Sequence, residues 1–227
     1  MTKTVPHRIG ERISYHDSVQ EMYEKRLVPD KMSNTFERFD PQDKIRCNFC
    51  EEGVSCQLCS NGPCRISVKS GAESGVCGIS ADAMAMRDML LRNVMGTSTY
   101  SHHAFMAFST LRSTAQGKTP FSITDKDKLY EMCKKLEIST AGSVEEVAER
   151  LANYFIAELS NDYQEPSKTI TAFAPQERQK VWQDLAIFPA GVLHEIKDAT
   201  ASCLTNVDGD YFSLARKALR LGIACIY

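Results

Sequence analysis

Hydrophobic positions change rhythm near residue 80 of this chain. Before that point they are few. One helical candidate runs from Asp17 to Leu27, with Asp17 placed to cap its first turn. From Ser80 onward the pattern is helical. In SADAMAMRDMLLRNVMG, Met86, Met89, Leu90, Leu91 and Val94 form a broad apolar face, Ser80 is the cap and Gly96 the expected stop. A second helix is predicted from about Ser98 to Ala115, with Phe105, Phe108 and Leu111 spaced by three. TDKDKLYEMCKKL starts at Thr124 and Asp127 and sets Leu129, Met132, Cys133 and Leu136 on one stripe. SVEEVAERLANYFIAEL offers Ser143 and Glu146 as a capping box ahead of Val147, Leu151, Tyr154 and Phe155. Two more helices are predicted around 176–187 and 211–221. The final GIACIY reads as an apolar strand, which normally continues into a sheet, so the chain is expected to be the front part of a longer protein.

Composition narrows the class. The chain has 227 residues and 43% hydrophobic side chains, enough for one sizeable core or two small ones. Lys plus Arg (27) nearly balances Asp plus Glu (29), so no strong field would attract nucleic acid or an anionic membrane. No secretory signal and no run of about 18 apolar residues is present, and a cytoplasmic setting is expected. In a reducing compartment nine cysteines are not expected to form a disulfide framework.

Six of the nine fall between Cys47 and Cys77, which divides the chain into an arm (1–46), a cysteine-rich segment (47–79) and an all-α domain (80–227). The middle segment is rich in glycine and short of apolar residues, so bound metal is expected to supply cohesion. Its strongest pattern is Cys56-x2-Cys59-x4-Cys64-x12-Cys77. A Cys-x2-Cys step converges two thiolates on one centre. Cys64 follows the Asn61-Gly62-Pro63 turn, and Cys77 between Gly75 and Gly78 closes the set. Four such thiolates suit a [4Fe-4S] cluster, with glycine-rich amides near the sulfurs. Structural zinc is the competing reading. It usually pairs two knuckles a dozen or more residues apart, whereas Cys47-x2-Cys50 and Cys56-x2-Cys59 are much closer and would leave Cys64 and Cys77 unexplained.

Other candidates read as packing. Cys133, Cys203 and Cys225 are scattered and are expected in the core. His7, His16 and His194 are isolated. The pair His102 and His103 is a candidate for proton handling; adjacent helical positions diverge by about 100°, so one of the two at most faces a given channel. The methionines from 84 to 95 are expected to be helix core.

The run from Cys47 to Cys77, with GVSCQLCSNGPCRI at its centre and Gly-Val-Cys-Gly at its close, resembles the amino-terminal cluster region of the nickel-dependent anaerobic carbon monoxide dehydrogenases. The likeness continues through the helical half, including VDGDYFSLARKALRLG, from about residue 8 onward. It implies that Cys56, Cys59, Cys64 and Cys77 ligate the [4Fe-4S] relay cluster called the B-cluster. It implies too that Cys47 belongs to the D-cluster shared by two subunits of a homodimer. Many relatives carry a second D-cluster cysteine just before the first B-cluster one. This chain has Ser55 there and Cys50 instead, so Cys47 and Cys50 from each subunit would make the bridge, [2Fe-2S] being favoured over [4Fe-4S].

By the same resemblance, the full-length enzyme oxidises CO with water to CO2 and passes electrons to a ferredoxin-like acceptor. Its nickel-iron-sulfur C-cluster is held by later domains. The expected fold is mainly α, a cluster segment followed by a helical domain, ending before the α/β domains of the family. The chain alone is therefore expected to hold the relay, the dimer contact and no CO chemistry. Two rival readings are a stand-alone iron-sulfur electron carrier and a zinc-stapled helical interaction module.

Overall fold

The computed structural model describes residues 12–43 and 45–227. The chain divides into two compact units, Met1–Glu52 and Gly53–Tyr227. In the first, α1 (Asp17–Met22) runs on into a wider π-type turn at Tyr23–Leu27, followed by α2 (Thr35–Asp43) and the single-turn α3 (Asn48–Glu51). Asp17 does not cap α1. His16 takes the cap position without a side-chain bond, and the Asp17 carboxylate instead accepts from Arg12 Nη2 at 2.6 Å. His7 lies outside the described residues.

The second unit opens with a hairpin, β1 (Ser55–Cys56) antiparallel to β2 (Cys64–Arg65). Seven helices follow: α4 (Ala81–Ala115), α5 (Lys126–Lys135), α6 (Val144–Ser160), α7 (Lys168–Phe173), α8 (Gln176–Asp184), α9 (Val192–Ser202) and α10 (Tyr211–Ile226). The fold is mainly α, as expected.

The two helices predicted on either side of Gly96 are one helix. α4 is 35 residues long, which spans about 52 Å at the usual rise. Ser80 caps it, its Oγ accepting from Ala83 N at 3.2 Å. Gly96 does not stop the helix because packing on both sides outweighs the propensity cost of an interior glycine, about 1 kcal/mol. Ala83, Arg87, Leu90, Val94 and Thr97 are all buried, an alternating four-and-three spacing that crosses Gly96 without a break. The first half packs with Ile66, Ile79, Ala199, Leu214 and Leu221. The second half, through Phe108 and Leu111, packs on Leu129, Cys133, Val147, Leu151 and Phe155. Phe108 stacks on Phe155 at 4.1 Å between ring centroids.

The methionine face is only partly core. Met84 is buried, whereas Met89 and Met95 are more than half exposed and Phe105 is also exposed, because the buried stripe lies along 83, 87, 90 and 94. α5 begins one residue later than its Thr-x-x-Asp reading implies. Asp125 caps it, accepting from Lys128 N at 3.0 Å. α6 has the expected capping box, Ser143 Oγ accepting from Glu146 N and Glu146 accepting from Ser143 N. The closing GIACIY is not a strand. It completes α10, whose buried Leu214, Ala218 and Leu221 continue toward half-buried Cys225 at helical spacing. A six-residue apolar run carries too little periodicity to separate the two structures. The helices α7 and α9 are additions to the sequence reading. α9 buries Glu195, Ala199 and Ser202, residues that do not advertise an apolar face.

No helix among the described residues is long and apolar enough to cross a membrane.

Candidate metal centre

The β1–β2 hairpin brings two of the predicted ligands together. Cys56 and Cys64 are Cα partners across the ladder, so their side chains leave the same face, with directly opposed Cβ atoms about 4.5–5.5 Å apart. Cys59 lies in the connection, where its carbonyl accepts from Gly62 N at 3.1 Å. The turn is tight. A Cβ at Gly62 would come within 3.1 Å of Cys56 O and 3.3 Å of Cys64 N, so a side chain here would crowd the backbone on both arms of the turn. The Gly62–Pro63 peptide is cis.

Cys77 stands in a second turn, closed by Gly75 N to Ile79 O at 2.9 Å and Gly78 N to Gly75 O at 2.8 Å. Gly78 takes φ +87°, a left-handed conformation open to glycine at little cost. Cys56, Cys64 and Cys77 all pack against the first apolar core, the cluster that includes Ile66, Ile79 and Met84. The segment is short of apolar side chains, yet Ile66 and Ile79 anchor it to α4.

The environment of Cys59 favours the thiolate. The Thr205 hydroxyl, then the Asn61 backbone N–H and more weakly the Gly62 N–H and the Arg87 charge, hold its thiol below the usual range, outweighing the opposing effect of partial burial. Burial pushes the Cys133 and Cys203 thiols up, which keeps them protonated and inert in their helical cores. Cys225 is half-buried rather than core. Its thiol lies 3.4 Å from Thr97 Oγ1.

Among the described residues, no three His, Cys, Asp or Glu side chains sit close enough to hold one metal ion. A zinc site needs its ligands gathered around a single point at about 2.3 Å per sulfur. A [4Fe-4S] cluster assigns each thiolate its own iron at a separate corner. The Thr205 hydroxyl and the Asn61 amide favour the Cys59 thiolate, the kind of influence that supports cluster thiolates. A buried guanidinium nearby, Arg87, has Nε and Nη1 without partners. On these observations the residues fit a [4Fe-4S] cluster.

The other predicted site residues lie on other elements. Cys47 is half-buried at the start of α3 and Cys50 is exposed within it, its N–H donating to Cys47 O at 3.0 Å; both belong to the first unit. His102 and His103 are exposed on α4. His103, edge-on to Tyr100 at 6.4 Å between centroids, lines an open groove of about 770 Å³ with Phe155, Glu158, Cys225 and Tyr227; His102 is not in that lining. His194 is paired with Asp162, Nδ1 to Oδ1 at 3.2 Å.

Residues 54–227 match the Prismane/CO dehydrogenase family. The chain belongs to this family. It is 51% identical over 222 residues to carbon monoxide dehydrogenase 2 of Methanosarcina acetivorans, which covers 96% of this chain and 35% of the relative. Its fold is similar to a nickel-free carbon monoxide dehydrogenase from Thermococcus sp. AM4, with TM-score 0.83 and 30% identity over 99% of this chain and 36% of that one. It is also similar to a chain of acetyl-CoA synthase/carbon monoxide dehydrogenase, in a structure described for NiZn[Fe4S4] and NiNi[Fe4S4] clusters in its alpha subunits. There the TM-score is 0.80 at 26% identity, covering 93% of this chain and 32% of that one. The chain thus spans about a third of the length of these carbon monoxide dehydrogenase relatives.

Two residues at the site were not singled out from the sequence, Thr205 and Arg87. Thr205 follows α9 in a turn with no motif of its own. Arg87 did leave a signal, being the one charged residue on the stripe 83, 87, 90, 94.

Proposed function

We propose that this chain is the electron-relay portion of a carbon monoxide dehydrogenase, with Cys56, Cys59, Cys64 and Cys77 holding a [4Fe-4S] cluster. The observation that carries the reading is the hairpin. It sets Cys56 opposite Cys64 against the apolar core on which Cys77 also packs, and its connecting turn presents Cys59 with a lowered thiol. When bound, such a cluster supplies one-electron transfer. The chain's own part is to fix four thiolates and to pack Cys56, Cys64 and Cys77 against its first apolar core.

In the proposed whole enzyme, CO and water give CO2, two protons and two electrons, and the electrons leave through this relay to a ferredoxin-like acceptor in the cytoplasm. The nickel site is assigned to the remainder of the longer enzyme. Cys133 and Cys203 are protonated packing residues here, and Cys225 stands beside Thr97 on another helix pair. Cys47 and Cys50, one helical turn apart, would each serve a cluster shared with a second copy, [2Fe-2S] in preference to [4Fe-4S], giving a homodimer. His103 is the better placed of the histidine pair for proton transfer, since it opens onto the groove.

Cys59→Ala tests the ligand assignment. The anaerobically reconstituted variant should lose the broad visible absorption that dithionite reversibly bleaches in the wild type. A variant that keeps the full spectrum and iron content would refute the role given to Cys59.

A further inference from the structure

Arg87 is 2% exposed, yet it has almost no protein partner. Its Nη2 donates to Asp208 O at 3.3 Å, while Nε and Nη1 have no hydrogen-bond partner. The Asp208 carboxylate does not answer the charge. Its Oδ1 accepts from Asp210 N at 3.0 Å and its Oδ2 from Ser213 Oγ at 2.6 Å. Burying a cation without a counter-charge costs several kcal/mol, so a site that retains one is short of a negative partner. Arg87 stands on α4 three residues from Met84, a member of the apolar core against which Cys56, Cys64 and Cys77 pack. α4 packs directly against β1, the strand that carries Cys56. Cys203 is no counter-charge, because burial keeps its thiol protonated and it packs against the Arg87 backbone, Sγ to O at 3.8 Å.

We propose that Arg87 is the buried charge partner of the iron-sulfur cluster, raising its reduction potential. The inference rests on the ligand assignment above. A [4Fe-4S] cluster with four thiolates is anionic and gains one further negative charge on reduction. A fixed cation and aligned N–H donors stabilise the reduced form more than the oxidised one, and the low dielectric around a buried guanidinium strengthens the difference. Arg87 is a tuning residue: it would hold no iron, and its loss would leave four thiolates in place.

The test is a redox titration of the reconstituted full chain, followed by visible absorption and by the EPR signal of the reduced cluster. Arg87→Met, similar in length and neutral, should bind the same iron as wild type. At a fixed solution potential it should show a reduced-to-oxidised ratio about tenfold lower, equivalent to about 59 mV for a one-electron couple. Arg87→Lys, which keeps the charge and loses the planar fork, should shift by less. A ratio for Arg87→Met within twofold of wild type would overturn the proposal. Should Arg87→Met fail to fold, pulsed EPR decides the matter with arginine labelled by ¹⁵N in the guanidinium group. A ¹⁵N coupling at the reduced cluster is expected in the wild type and should vanish in Arg87→Lys; no coupling in the wild type would overturn the proposal. Wild-type chain that binds no iron would instead overturn the ligand assignment itself.

Discussion

Glu195→Ala is expected to destabilise the helical unit by about 3–5 kcal/mol, the usual cost of removing one partner of a buried ion pair. Glu195 is 1% exposed, and its Oε1 accepts from Arg220 Nη2 at 2.5 Å and from Ala190 N at 2.6 Å. Alanine at this position strands two donors. The Ala190 N–H is buried and has no access to solvent in exchange, at a cost of about 1–3 kcal/mol. The Arg220 side chain is a quarter exposed and recovers some hydration, which keeps the total near the lower end of the range. Arg220 Nε already lacks a partner, so the guanidinium depends on Glu195. The effect is large because the pair ties α9 to α10, and both helices line the first core through Ala199, Leu214 and Leu221. Lys217 and Asp198 join the same helices at 2.6 Å, but both are partly exposed and contribute less. With variant and wild type in the same metal state, the urea midpoint should fall by roughly 1–2 M. Glu195→Gln, which keeps an acceptor and loses the charge, should lie between them. An unchanged midpoint in Glu195→Ala would show that the pair is not a structural tie.

Removing iron is expected to release Gly53–Ile79 while leaving the helices in place. The segment's own cohesion is small: a two-residue-per-strand hairpin, the bonds Ile66 N to Val54 O at 3.0 Å and Ser67 N to Ala72 O at 2.8 Å, and the burial of Ile66 and Ile79. Metal ligation adds its binding free energy to whatever it orders. If ligation stabilises the segment by about 4 kcal/mol, the value for a ligand at a thousandfold its dissociation constant, amide exchange at Ile66 should accelerate about a thousandfold on chelation. The Ala148 and Leu151 amides of α6 sit in a separate apolar cluster and should change less than about threefold. Hydrogen exchange by mass spectrometry on holo and chelated protein reads both. Equal exchange at Ile66 in the two states would mean that the hairpin is held by packing alone.

The sequence carried the helical class, the capping box of α6 and the stripe of α5 because each depends on residues within one or two turns. It misled at Gly96 and at GIACIY for one physical reason. Local punctuation there suggests a stop or a strand, while the tertiary stripe shared by α4 and α10 continues through both. Burial of a small or charged residue leaves no apolar periodicity, which is why α9, built around Glu195 and Ala199, stayed hidden. At the site, cysteine spacing named the four cysteines proposed here as donors. The opposition of Cys56 to Cys64 needed the strand register, and Thr205 became visible only once the turn after α9 met the cysteine loop. Arg87 marks the limit differently. Its place on the buried stripe was written in the spacing, but that its charge is left without a carboxylate partner is a property of the assembled fold.

The central claim is that the four cysteines hold iron and sulfide rather than a single structural ion. Iron, acid-labile sulfide and zinc analysis of the anaerobically reconstituted Cys47→Ser/Cys50→Ser double variant, which removes the second cysteine pair, tests it most directly. The account predicts about four iron and four sulfide per chain, no stoichiometric zinc, and a visible spectrum that dithionite bleaches reversibly. A colourless protein carrying about one zinc per chain and no sulfide would contradict it.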